Sequence, residues 1–530
     1  MNEVVVVGSG ASAVHFAQGA LERGLRVVML DVGREAPAPG APEASFVDLV
    51  RGEAATDRAF YGDELSGVSF PGDRDELRGL APHRKHIFED HPGRRVDAVG
   101  FEPLVSFARG GLAEAWAGGS FPFSDGELED FPFGYAELEP FYARVAERIG
   151  VTGVEDDLTP AMPLHAHLDP PLDLDAHSAA LLERYQGLGA DWAHRGLRLG
   201  RSRMAVLGRD RGERLACTHL GRCRWGCPRG ALYTPRLGLE ALLSHPRFEY
   251  RPDHFVTHFE FDPNGRIDQV VARDRSGQEV VVPLERLVLG AGTLESARIF
   301  LRSVFLLRKE RWRLEGLMDS RQVYVPFVNL RRLGAAAETE AYQYPHLALS
   351  VAHPKEPKWS VHGVVQTLRS TLLHPIVQRV PLDTRTSIAL VRHVHGALGQ
   401  VELSFWDDRR PNNTLQLDED GETLLVRYHP PRDERRRQRA GIRATRRALR
   451  ALGCFVPPGL IRSRPMGSSG GYAGGLPMTP QGGPRTTDPT GRSRDFENLW
   501  LVDGITFPFL PGKPPTFTLM ANAARIAEQL

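Results

Sequence analysis

The segment from Val4 to Asp31 constrains the fold more than any other part of the chain. Val4–Val7 is a short apolar run that ends in Gly8-Ser9-Gly10-Ala11-Ser12-Ala13. A helical stretch follows from Ala13 to Arg23, with Val14, Ala17 and Leu21 about one turn apart. Gly24 closes it, where a helix C-terminus favours glycine. Leu25 to Leu30 reads as a second buried strand and runs into Asp31. Strand, glycine-rich turn, helix and strand in this order form a dinucleotide-binding βαβ unit. Gly8 permits the tight turn, and Gly10 lets the backbone approach a pyrophosphate. Ala13 stands where a third small residue allows close helix–strand packing. Ser12 lies in the turn at the helix N-terminus, whose free N–H groups and partial positive charge favour phosphate. Asp31 ends the second strand, where a carboxylate takes a ribose hydroxyl and disfavours a 2′-phosphate. This motif alone does not separate FAD from NAD.

The rest of the composition narrows the class. A chain of 530 residues can build several cores or one large composite one. Basic and acidic residues balance at 66 each, so no global field points to nucleic acid or to a membrane surface. No apolar run is long enough to span a bilayer. Glu3 precedes the short run Val4–Val7, unlike a secretory signal, and a cytoplasmic protein is expected. Cys217, Cys223, Cys227 and Cys454 are too sparse for a disulfide scaffold.

Four further segments favour a flavin. The first is Arg109-Gly110-Gly111-Leu112, followed by Trp116 and Gly118-Gly119. So many small residues around one Trp imply close packing on something flat. The second runs from Cys217 through Cys223 and Cys227 to Ala231. Its spacing lacks the tight pairs and fourth ligand of a zinc or iron–sulfur site, so no metal is expected. The third is the strand-like run ending in Gly290-Ala291-Gly292, with a helix after it. The fourth runs from Asn498 through Asp503-Gly504 to Pro514-Pro515-Thr516 and Ala521.

Taken in order, these segments resemble the glucose–methanol–choline (GMC) flavin oxidoreductases from Val4 to the C-terminus, with a weaker middle. The resemblance implies an α/β chain in which a Rossmann-type FAD-binding domain is interleaved with an α+β substrate domain on a mostly antiparallel sheet, as in glucose oxidase. It divides the chain into a discontinuous FAD-binding domain (1–34, 96–120, 195–310 and 465–530), a substrate or cap domain (121–194 and 311–464) and an insertion or lid at 35–95. It implies non-covalent FAD held by Gly8, Gly10, Ser12, Ala13, Asp31, Arg109, Gly110, Gly111, Trp116, Gly118, Val256, Gly290, Ala291, Gly292, Asp503, Gly504, Pro515 and Thr516. The same cysteine pattern occurs in bacterial members of the family without a metal.

The pattern breaks at the chemistry. Standard members use a His to take the alcohol proton, helped by a second His or Asn. Gly471, in Gly470-Gly471-Tyr472-Ala473, occupies the position of the first, and Pro514 and Pro515 replace the second. Neither glycine nor proline can move a proton. The cofactor motifs remain, so the sequence predicts a flavin site kept for altered chemistry. Tyr472 and Lys513 are the candidate catalytic residues beside the vacated positions, with Ser468 and Ser469 next to them. A solvated loop lysine is the competing reading of Lys513. His353, His362, His374, His393 and His395 are substitute bases at a distance in sequence, each more simply read as structural or exposed.

The middle shows strand-like alternation in 322–330, 388–395, 400–405 and 423–428, with a hairpin turn at Asp418–Gly421. A helix over Arg432–Leu452 carries many arginines, yet Ile442, Leu449 and Leu452 give it an apolar stripe. No aromatic residues interleave, so a solvated face is expected rather than a nucleic-acid surface. The expected function is FAD-dependent oxidation of a small organic or sugar-like molecule in specialised metabolism, by hydride transfer to flavin N5. The alternatives are a lyase, decarboxylase or cyclase on the same fold, or a non-catalytic flavin-binding partner. The expected partner is a small-molecule substrate, and the reading admits a homodimer.

Overall fold

Four consecutive valines, all fully or almost fully buried, form the central strand of a parallel sheet. In this computed structural model the described residues are 4–36, 44–51, 61–62, 80–189, 191–194, 196–336, 338, 342–369, 374–378 and 380–530. The sheet order is Leu499–Leu501, Leu287–Leu289, Val4–Val7, Val27–Leu30, Phe248–Arg251. All four pairings are parallel. Strands buried on both faces read as continuous apolar runs, which is why Val4–Val7 and Val27–Leu30 lack alternation. The first helix, Ala11–Glu22, packs along the last, Thr516–Glu528. Gly19 makes this approach close: a Cβ there would sit 2.8 Å from the Ala527 Cβ. The two ends of the chain therefore share one core.

A second, antiparallel sheet stands apart from the first. Its order is Cys454–Phe455, Arg321–Asn329, Leu398–Phe405, Val361–Thr367, Leu347–Val351, Leu197–Arg201. Alternation in Arg321–Asn329 and Leu398–Phe405 puts Val323, Val325, Phe327, Val401 and Leu403 into the core. Ser320, Gln322, Tyr324, Glu402 and Ser404 turn to the other face. The helix Glu434–Ala451 covers the core face, burying Gly441, Thr445, Ala448 and Leu449. A third sheet joins Ala473–Gly475, Arg313–Met318, Thr414–Leu417, Thr423–Arg427 and Arg95–Val99. Asp418 caps the expected hairpin turn by accepting from Glu422 and Thr423.

Two expectations are corrected. The stretch 388–395 is not a strand but part of the helix Thr384–Val394. Asp383 caps it by accepting from Thr386, and Ser387 and Val391 are buried four residues apart. Ile388 and Leu390, which produced the apparent alternation, are exposed. The boundary near 195 also moves. Leu197–Arg201 pairs with Leu347–Val351 and belongs to the antiparallel sheet. Most of the 35–95 insertion lies outside the described residues. The insertion ends at Arg95, where the edge strand Arg95–Val99 of the third sheet begins, paired in parallel with Thr423–Arg427.

Candidate active site

The strand-to-helix turn after Val7 is built as the sequence requires. Gly8 has φ +97°, and a Cβ on it would lie 2.7 Å from the Gly290 carbonyl oxygen. Gly10 is different. Its φ of −69° suits any residue, yet no atom lies within 4 Å of where its Cβ would point. That open space is a cavity of about 200 Å³. The Ala11–Glu22 helix begins there with no side-chain cap and no acid in its first turn, so its positive end is uncompensated. Ala13 does not border the cavity. It supports it from behind, where Gly290 can approach because a Cβ there would be 2.9 Å from Ala13 Cβ.

Asp31 closes one end. Ser9 and the Tyr250 hydroxyl (3.0 Å) both donate to its Oδ2. Burial raises its carboxyl to about 6, against those hydrogen bonds. Val256 lines the same end, and its carbonyl accepts from Arg298 Nη2 at 2.8 Å. Arg298 lies over the Phe255 ring and pairs with Glu295 (2.7 Å), which also holds Arg94 (2.8 Å). The sequence reading missed Glu295, Arg298 and Ser9: Glu295 and Arg298 are three residues apart, but their further partners Arg94 and Val256, and Asp31 for Ser9, are distant in the chain. At the middle of the cavity Asp503 accepts from Ser296 Oγ (2.5 Å), Gly292 N (2.9 Å) and Ile505 N (3.0 Å). Burial raises its carboxyl to about 6 as well. Ser12, Gly111, Ala291, Gly504, Pro515 and Thr516 also line this cavity.

Other predicted cofactor residues stand off this cavity. Arg109 turns outward, pairs with Glu35 (2.7 Å) and lies over Tyr250. Gly110 contributes backbone only, donating from its N to Ser9 Oγ at 2.9 Å. Gly118 makes room for Leu232, whose Cδ1 would be 2.7 Å from a Cβ at 118. Trp116 donates to the Tyr233 carbonyl and faces a second cavity of about 400 Å³. The two cavities meet where Leu112, Ala113, Gly470, Gly471, Pro515 and Thr516 border both. The polar face of the antiparallel sheet roofs the second one.

The candidate catalytic pair divides. Tyr472 borders the first cavity, but its buried hydroxyl donates to the Leu104 carbonyl at 2.6 Å. Burial pushes that hydroxyl well above the usual phenol range. Lys513 reaches neither cavity, and the solvated alternative also fails. Its ammonium is buried, paired with Glu127 and bonded to the Pro122 (3.0 Å) and Ala161 carbonyls. The final loop turns its chain inward because Gly512 packs on the Ser404 and Ser360 carbonyls. His353, His362, His393 and His395 border neither cavity, and the side chain of His374 lies outside the described residues. The His362 ring lies tilted against Phe121 (centroids 4.5 Å apart), and burial lowers it to about 3. Among the described residues, no group of three or more His, Cys, Asp or Glu is arranged to hold a metal. Cys217, Cys223 and Cys227 are free thiols around a small core under Tyr342 and Tyr344.

One network does open at the seam. Ser469 Oγ donates to Asp319 Oδ1 at 2.5 Å and accepts from Gly471 N at 3.0 Å. It lies 3.7 Å from the position of a Cβ on Gly471. Asp319 also accepts from Gly467 N at 2.6 Å and is otherwise buried, which raises its carboxyl to about 6. The neighbouring acid Asp407 is neutralised by Arg410 (2.5 Å) and bonded by Tyr428 (2.7 Å), so Asp319 is the acid without an ion pair. Ser469 was named from sequence only as a neighbour of the vacated position. Asp319 carried no local signal.

The sequence profile described as GMC oxidoreductase matches residues 409–523, which include the final loop and most of the last helix. That stretch is similar to the GMC oxidoreductases. Two relatives extend the match along the whole chain. The 6'''-hydroxyparomomycin C oxidase of Streptomyces lividus is 25% identical over 562 residues, covering 100% of this chain and 91% of the relative. The paromamine 6'-oxidase of Streptomyces fradiae is 26% identical over 547 residues, covering 99% and 90%. Among solved structures, pyridoxine 4-oxidase from Mesorbium loti superposes with TM-score 0.60 at 15% identity, covering 100% and 99% of the two chains. An FAD-dependent oxidoreductase from Chaetomium thermophilum gives 0.59 at 13%, covering 100% and 98%. At these identities the structures speak for the fold alone. The similarity to GMC oxidoreductases and to two named oxidases supports an oxidoreductase and implies a flavin. The first cavity fits such a group: an uncapped helix end, an open cradle at Gly10 and a carboxylate at the far end lie in dinucleotide order. No helix among the described residues is long and apolar enough to cross a membrane.

Proposed function

We propose that this GMC-like oxidoreductase oxidises an alcohol group on a small, polyhydroxylated, sugar-like molecule. FAD lies in the first cavity and the substrate in the second. One observation carries the reading: the two cavities share a seam, and beside it Ser469, which lines the second cavity, donates to the buried Asp319 carboxyl. Gly8, Gly10 and Ser12 hold the pyrophosphate, Asp31 a ribose hydroxyl, and Asp503 with Gly504 the middle of the cofactor. Leu112, Pro515 and Thr516 border its reactive end. The start of the Thr516–Glu528 helix favours negative charge there. FAD binds non-covalently in this reading. The lining has no cysteine, and its histidine, His254, sits beside Asp31, far from the seam.

When bound, FAD supplies the acceptor for the hydride that leaves the alcohol carbon. The chain's own residues manage the proton. Ser469 Oγ takes the hydroxyl proton while its own passes to the Asp319 carboxylate. The Ser469 hydroxyl lies 3.7 Å from where a Cβ at position 471 would sit, and in this reading the serine–aspartate pair replaces the missing His. An acceptor near 6 is ionised at neutral pH and remains basic enough for general-base work. The roof fits a sugar-like ligand: Gln322, Tyr324, Gln366, Glu402 and Ser404 offer donors and acceptors on one face. The relatives named above act on paromomycin-type and paromamine substrates, and paromamine is the first compound to test. The domain division follows the same reading, with the parallel sheet on the FAD side, and the antiparallel sheet, including 197–201, on the substrate side.

The test is anaerobic mixing of FAD-loaded protein with paromamine and a panel of sugar alcohols. Loss of the oxidised flavin absorbance with formation of an aldehyde or ketone is expected. Product formation with the flavin oxidised throughout would transfer the site to non-redox chemistry. Absence of conversion across the panel would leave only a binding role.

A further inference from the structure

The roof of the second cavity carries a carboxyl group that the proton pathway does not use. Glu402 projects from the Leu398–Phe405 strand into the cavity. Among the described residues no hydrogen bond or ion pair reaches its carboxylate. The charged groups around it are spoken for or remote. Arg464 donates to Gln322 (2.5 Å) and the Ser468 carbonyl (2.7 Å) and lies over Tyr324. Arg84 donates to the Glu114 carbonyl. Arg224 attracts the carboxylate from across the cavity without forming an ion pair with it. A carboxylate withdrawn from bulk water without a partner is costly, and natural sites retain one where a ligand completes it.

Register fixes where that ligand group must be. Ser404 shares a rung with Gln322 and His362, and its carbonyl packs on Gly512 of the final loop. Glu402 shares the next same-face rung with Tyr324 and Val364. Two residues along a strand span about 6.6–6.8 Å. The carboxylate is therefore set back by one rung from the end of the roof that meets the reactive seam.

We infer that Glu402 is a subsite for an ammonium group of the substrate, placed one sheet rung beyond the carbon being oxidised. The substrate class is then an amino sugar or amino-polyol that is cationic at neutral pH. This rests on the oxidase reading for the place of the reacting carbon. The subsite differs from a general polyol site because it discriminates by charge. A neutral amide at the same ligand position offers one weak donor, whereas an ammonium offers three and the compensating charge.

Binding separates this inference from catalysis. FAD-loaded protein is titrated with paromamine and with its per-N-acetylated form, followed by flavin fluorescence and by calorimetry. The native protein should prefer paromamine by at least about 10-fold, the range of a charge-assisted hydrogen bond. Glu402→Gln should remove that preference while flavin content and circular dichroism stay native. Glu402→Asp, which keeps the charge on a shorter arm, should retain part of it. Equal binding of the two forms, binding of neither, or an undiminished preference in Glu402→Gln overturns the subsite. The two readings fail separately. Preferential binding without flavin bleaching removes the oxidase reading and leaves the subsite. Equal bleaching by both forms removes the subsite and leaves the oxidase.

Discussion

Substituting Gly8 and Gly10 by alanine in turn should separate folding from cofactor binding within one turn of chain. At Gly8 the backbone has φ +97°, which costs an L-residue roughly 1–2 kcal/mol. The new methyl would also sit 2.7 Å from the Gly290 carbonyl oxygen and 3.0 Å from the Ala291 Cα, both backbone atoms that cannot swing away. Overpacking of this kind adds about 1–3 kcal/mol. Gly8→Ala should therefore lose about 2–5 kcal/mol in the apoprotein. At Gly10 neither term exists, because φ is −69° and nothing lies within 4 Å. Loss of unfolded-state entropy favours the alanine by about 0.4–1 kcal/mol, and alanine at a helix N-cap costs roughly 0.5–1 kcal/mol relative to glycine. Gly10→Ala should leave the apoprotein within about 1 kcal/mol of native. Its methyl fills the space a pyrophosphate needs, however. Displacing two charge-assisted hydrogen bonds at about 1.5–3 kcal/mol each weakens FAD by about 10²–10⁴-fold. Denaturant unfolding of the flavin-free proteins and fluorescence titration with FAD give the two numbers. If Gly10→Ala binds FAD normally, or destabilises the apoprotein as much as Gly8→Ala, the cavity is not the dinucleotide site.

Asp31→Asn removes the charge facing the ribose end, and its FAD affinity should fall about 10-fold in equilibrium dialysis. Ser469→Ala and Asp319→Asn should each lower the rate of anaerobic flavin bleaching by about 10²–10⁴-fold with flavin content unchanged. In the native protein that rate should rise with pH through about 6, because the raised Asp319 carboxyl must be ionised to accept a proton; a rate flat from pH 5 to 7 contradicts this. Lys513→Met leaves Glu127 buried and unpaired, and should cost about 3–5 kcal/mol in denaturant unfolding. Adding Glu127→Leu should recover most of it, with the spectrum of bound flavin unaffected throughout. Gly471→His fits the backbone, though its Cβ lies 3.3 Å from the Pro515 ring. It should give little gain in bleaching rate, since Ser469 already occupies that corner.

Local signals in the chain were enough to write down the parallel-sheet half of the fold. A four-residue apolar run, glycines at 8 and 10 and an acid at 31 must produce a tight strand–turn–helix, because their physics is contained within neighbouring residues. The same holds for Gly290–Gly292 and for Asp503, whose backbone and side-chain partners are prepared by the turns beside them. The segment 388–395 shows the limit. Its alternation and its helical spacing are both present in sequence, and burial of Ser387 and Val391 against the rest of the molecule decided for the helix. Lys513 shows it again, since only packing of the final loop brings Glu127 to its ammonium.

Sequence alone thus determined the strand–turn–helix proposed to hold a dinucleotide and the loss of the family's two proton-handling side chains. The groups proposed to take their place come together only in the tertiary structure. Asp319 meets Ser469 from 150 positions away in the chain, and Glu402 faces an interior space because an antiparallel sheet turns alternate residues to opposite sides. Neither acid has a neighbour in sequence that marks it. Their environment comes from burial and from contacts across strands, and those exist only after folding.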